Sequence, residues 1–173
     1  MGIVAYNYIV DDSVIDKILK SDFDIDEYLS NQLMDHEYKG SHFEKSGILF
    51  WQGVKAWSPM YELLKILDKS DNNVLSLLLN EQFYIPENET NNRFYYYYSS
   101  VVKEIWNELK KISIGEIENS IDKKDIVKTI SSIEGYWNER IERKVHIVME
   151  FFEIYKAFYE AQLRNKGIIT SFG

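Results

Sequence analysis

The chain has 173 residues, a net charge of −8 and no cysteine, which excludes disulfides, thiolate metal sites and cysteine nucleophiles. Hydrophobic residues at 45% and charged residues at 28% suit a globular domain, and no apolar run approaches the roughly 20 residues of a membrane span. The acidic balance repels phosphate backbones, so nucleic acid is not an expected partner.

Residues 3–10 alternate as a strand, with Ile3, Ala5 and Ile9 on one face and Val4, Tyr6, Tyr8 and Val10 on the other. The opening MGIVAYNYIV has no basic region and no cleavage site, so no signal peptide and a cytoplasmic location are expected. Asp12-Ser13 offers a cap for a helix carrying Val14, Ile15, Ile18 and Leu19. Asp24 with Glu27 caps a second helix, through Tyr28, Leu29 and Leu33. Residues 35–47 read as a polar loop, and Ile48 to Trp51 as a short apolar segment.

Ser58-Pro59 predicts a helix start, a hydroxyl followed by proline at the first helical position. Val74 to Leu79 is apolar without a readable period. Phe94 to Tyr98, all aromatic, predicts a strand, and Ser99-Ser100 a cap for the helix after it. Ser113 and Glu116 have capping-box spacing. A further helix begins near Asp122–Asp125, and Gly135 ends it.

Ile141 to Arg164 is the longest helical pattern. At 100° per residue Glu142, His146, Glu150, Glu153, Lys156, Glu160 and Arg164 form a polar arc. Val145, Val148, Met149, Phe152, Tyr155 and Tyr159 fill the other side, widened by Phe151, Ile154 and Phe158, so this helix is expected to be the spine of one core. Gly167 stops it, and residues 168–171 form a last strand. The expected architecture is a single α+β domain over 1–173. A small mixed sheet of strands near 3–10, 94–98 and 168–171 packs against several helices, including the long C-terminal one.

No phosphate loop, dinucleotide fingerprint, nucleophile elbow or zinc-protease motif is present. Asp22, Asp24 and Asp26 are spaced as in a calcium loop. Glu27 replaces its glycine and Leu33 its last glutamate, so helix capping explains these acids better. Asp35, His36, Glu37 and His42 share a polar stretch but not a metal-ligand spacing. Neither a catalytic residue nor a metal nor a cofactor is expected. Trp51, Trp57, Tyr95, Tyr97, Trp106 and Trp137 could line a ligand pocket or stack bases, but they read better as core filling, since only Arg93 is near the tyrosine run and base stacking interleaves rings with cations.

The opening MGIVAYNYIV with VIDKILK and IDEYL, the central WSPMYELL, the tyrosine strand with its cap in YYSSVVKEIWNEL, and the closing FYEAQLRNKGIITSF resemble, in that order, the YfbM-like family, bacterial domain of unknown function 1877. The resemblance implies an α+β fold and brings no catalytic residue with it. Asn88 to Asn92 departs from the glycine-rich stretch this family often has there.

The first 40 residues hold nine acids and three bases. Asp22, Asp24, Asp26, Glu27, Asp35 and Glu37, with the hydroxyls of Tyr95 and Tyr97, are the expected partner-binding residues. The expectation is a non-enzymatic binding protein, an immunity protein that covers a basic toxin. The alternative is a small-molecule binder or enzyme with a pocket near Trp57 and Tyr61, and a homodimer without ligand is a third reading.

Overall fold

The computed structural model describes residues 4–20, 24–25, 27–29, 42–45, 48–53, 56–86, 93–130 and 142–172. In chain order these form β1 (Ala5–Val10), α1 (Asp12–Leu19), β2 (His42–Lys45), β3 (Ile48–Gln52) and α2 (Trp57–Leu67). Two 3-10 turns, Val74–Leu77 and Glu81–Phe83, lead to β4 (Tyr84–Ile85), β5 (Arg93–Tyr97) and α3 (Ser99–Leu109). Then come α4 (Ile114–Ile121), α5 (Lys124–Ile130), α6 (Glu142–Arg164) and β6 (Gly167–Phe172).

The α+β class holds, but the sheet is wider than expected: six strands in the order β2-β3-β1-β6-β5-β4, antiparallel in every described ladder rather than mixed. β2 falls inside the stretch expected to be a loop. The centre is the pairing of β1 with β6, from Ala5 opposite Phe172 to Val10 opposite Gly167. All six residues of β6 are buried, because helices cover both faces of the sheet.

On one face Ile9, Tyr97 and Ile168 pack against Ile147, Phe151, Ile154 and Phe158 of α6 and against α2 and α3. On the other, Tyr8, Val10 and Ile169 pack against Ile15 and Ile18 of α1 and against Ile25 and Leu29.

Several helix ends differ from the sequence reading. α2 starts at Trp57 after Ala56, so Pro59 sits inside the first turn, where its missing N–H has no helical partner to lose. α3 has no cap from Ser99. Asp12 of α1, distant in sequence, accepts from Ser99 N (2.9 Å) and from its hydroxyl (2.7 Å). The Ser113–Glu116 box forms as expected, and Asp24 accepts from Glu27 N at 2.9 Å.

The stop of α6 is Asn165, left-handed at φ 53, with Asn165 N bonded to Gln162 O and Lys166 N to Ala161 O. Gly167 instead permits close approach: a Cβ there would lie 2.6 Å from Ile15 Cδ1 and 2.7 Å from Tyr97 O. Gly135, expected to end the helix before the spine, lies outside the described residues.

Candidate functional site

Strand parity decides which tyrosines reach the surface. In β5, Tyr95 and Tyr97 share the α6 face with Thr170 and Ile168, their partners in β6. Tyr97 is fully buried, and its hydroxyl accepts from Leu79 N at 2.8 Å. That bond holds Leu79 in the left-handed region at φ 56, a conformation that costs a non-glycine residue about 1–2 kcal/mol. Tyr97 is therefore a core anchor and not a surface contact. Tyr95 is half-buried, its ring 6.0 Å from Phe172 and 5.7 Å from Tyr84.

The half-buried tyrosines of the opposite face are Tyr6, Tyr28, Tyr96 and Tyr98, which pack with buried Tyr8 against the second apolar cluster. Tyr98 donates to Asp16 Oδ1 at 2.7 Å, and burial followed by that carboxylate pushes its pKa up to about 12. Tyr28 is also raised, by burial and then by Asp11. The rings of Tyr96 and Tyr98 meet edge to face at 5.7 Å, and Tyr96 meets Phe83 likewise at 5.8 Å. Asp11, Asp16, Asp24 and Glu27 are exposed around them. The result is a surface of half-buried rings rimmed by carboxylates, of which Asp11 pairs with Lys166 at 3.5 Å.

Of the acids expected to bind a partner, Asp24 and Glu27 are exposed beside this surface. Asp22, Asp26, Asp35 and Glu37 lie outside the described residues. Asp12, which the charge count alone would add to the surface, serves as the cap of α3.

A second polar feature lies inside. Register places Tyr84, Tyr95, Thr170, Asn7, Trp51 and His42 opposite one another in a row across all six strands. At its middle, fully buried Thr170 donates to fully buried Asn7 Oδ1 at 2.8 Å. Tyr61 of α2 and Glu150 of α6 are buried as well. Burial first, then Tyr97 and Glu150, push the Tyr61 pKa well above the usual phenol range. The Thr170 and Asn7 side chains act in the opposite direction, but neither completes a hydrogen bond to the Tyr61 hydroxyl, and Asn7 Nδ2 has no partner either.

Gly53 closes over Glu150, and a Cβ there would lie 2.2 Å from Glu150 Oε1. The Tyr61 phenol therefore stays protonated near neutral pH and is no general base. Trp57, one turn earlier, is half-buried at the rim, 4.3 Å from the Phe172 ring. The two residues expected to share a pocket thus do different things: Trp57 closes the end of β6, and Tyr61 fills the core.

The buried trio Asn7, Thr170 and Glu150 was missed in the sequence. One signal existed: Asn7 interrupts the apolar set Ala5 and Ile9 on its strand face. Glu150 gave none, since its position on the helix fits the polar arc. Among the described residues no three His, Asp or Glu side chains converge as metal ligands, and no helix is long and apolar enough to cross a membrane.

No family model and no curated protein matches the chain. Among solved structures it is similar to YfbM from Escherichia coli, a protein of unknown function, at 12% identity and a TM-score of 0.61, over 98% of this chain and 99% of that one. At that identity the likeness speaks for architecture alone: the chain has a YfbM-like fold.

Proposed function

We propose that the chain is a non-enzymatic binding protein that occupies a basic protein partner through the carboxylate-rimmed tyrosine face. A toxin neutralised by an immunity protein is the partner class this reading favours. The observation that supports it most is the placement of half-buried Tyr28, Tyr96 and Tyr98 beside exposed Asp11, Asp16, Asp24 and Glu27. Tyrosines bring large contact area at low entropic cost, and a carboxylate rim steers a cationic partner inward.

Titration calorimetry with candidate cognate toxins tests it. A complex forms, weakens as salt rises, and loses about 30-fold or more in affinity with Tyr96→Ala. No complex at low or at physiological salt refutes the proposal.

A small-molecule site near Trp57 and Tyr61 is the second reading, favoured by the unpartnered, buried Tyr61 hydroxyl and Asn7 Nδ2. A metabolite panel that raises the melting temperature of the wild type but not of Tyr61→Phe would favour that reading instead.

A further inference from the structure

The face that α6 turns away from the sheet is not polar. Val145, Met149, Phe152, Tyr159 and Leu163 are 53%, 45%, 38%, 43% and 62% exposed. With Lys156 they succeed one another at alternating intervals of four and three residues, the seam spacing of packed helices. Together they expose an apolar strip of roughly 400 Å², a size that marks interaction sites on a monomer.

We infer that this strip pairs with the same strip of a second copy, the two α6 helices running antiparallel about a two-fold axis near Ile154. The shape is self-complementary. Beside the first half of the strip lies a groove of about 500 Å³, lined by Val145, Val148, Met149 and Phe152 of α6 and by Glu118, Asn119 and Asp122 in and just after α4. The second half carries the projecting Tyr159 and Leu163. A two-fold axis at the middle sets the knobs of each copy into the groove of the other, as an isologous interface requires. Tyr159 already rests against Trp106, ring centroids 5.5 Å apart, so it enters preordered.

Charge points to the same occupant. The chain carries −8, which separates two copies over most of their surface, whereas α6 itself has four acids and four bases. Its outer face is where like-charged copies can meet. Charge also chooses direction. A parallel pair sets Lys156 against Lys156 in the seam. The antiparallel pair sets Lys156 over the partner copy's Phe152 ring and near its Glu153, the residue type it already meets within one chain at 3.3 Å. The strip with the aliphatic stems beside it buries about 500 Å² on each copy, which reaches the ~1,000 Å² total at the lower end of specific interfaces.

Light scattering and sedimentation across nanomolar to high micromolar concentration read the association. The wild type dimerises, and Leu163→Lys, at an exposed position that leaves the core intact, weakens the dimer about 30-fold or more. Because the chain lacks cysteine, single-cysteine variants read the direction. With a short bis-maleimide, Lys156→Cys links to itself. Val145→Cys does not, since antiparallel copies hold that position about 27 Å apart along the axis, but it links to Leu163→Cys when the two are mixed. A monomer at every concentration overturns the inference, as does self-linking of Val145→Cys as efficient as that of Lys156→Cys.

Discussion

Two buried tyrosines differ in one respect, and the difference sets opposite consequences for losing a hydroxyl. Tyr97 Oη accepts a 2.8 Å bond from Leu79 N; Tyr61 Oη has no partner. In Tyr97→Phe the Leu79 N–H stays in place without an acceptor, a loss of about 1–3 kcal/mol. For a chain of this length a 2 kcal/mol loss lowers the melting temperature by about 4–8 °C. In Tyr61→Phe a desolvated, unbonded hydroxyl disappears while the ring keeps its packing, so stability stays level or rises by about 1 kcal/mol. Urea unfolding followed by circular dichroism measures both, with an unchanged m-value as the check that the end states are the same. A Tyr61→Phe loss equal to that of Tyr97→Phe would refute the reasoning, because the hydroxyl would then have a partner.

Gly53→Ala forces a methyl group onto the Glu150 carboxyl group, which is 0% exposed; a loss of about 1–3 kcal/mol in the same unfolding assay is expected. Stability also depends on pH at both extremes. Lys69 and then Ser113 hold Glu116 down at about 2 against a usual 4.5, so its contribution is complete above pH 4.5 and fades as pH falls to about 2. Tyr98, raised to about 12 from 10.0, contributes fully below pH 10 and stops contributing as pH climbs to about 12. Urea midpoints against pH for Glu116→Gln and Tyr98→Phe therefore converge on the wild type at pH 2 and pH 12 respectively.

Local signals survived folding where a contact is local. The Ser113–Glu116 box and the Asp24 cap join residues three apart, and both form. The cap of α3 does not, because Asp12 reaches it through the tertiary fold and no spacing announces that. The tyrosine strand forms as expected, but its faces were not legible: Phe94 to Tyr98 are all aromatic, so no polar–apolar alternation marks them, and register with β6 decides.

The spine helix failed on rotation. It is apolar over more than half its circumference, so the pattern does not choose an inner face. The sheet takes the side of Ile147, Phe151, Ile154 and Phe158, with Ala157 and Ala161, and Met149, Phe152 and Tyr159 are left outside. Glu150, expected in the polar arc, is carried into the core by the same rotation.

The union of β1 with β6 bears on how the molecule is made. A ribosome delivers β1 early, but its inner neighbour emerges only after α6 has been synthesised. Until then the nascent sheet has β3 on one flank of β1 and a bare row of amide and carbonyl groups on the other. Such an unfilled slot invites pairing with stray strands. Losing β6 would leave that slot open for good, dividing the sheet into a three-stranded and a two-stranded piece.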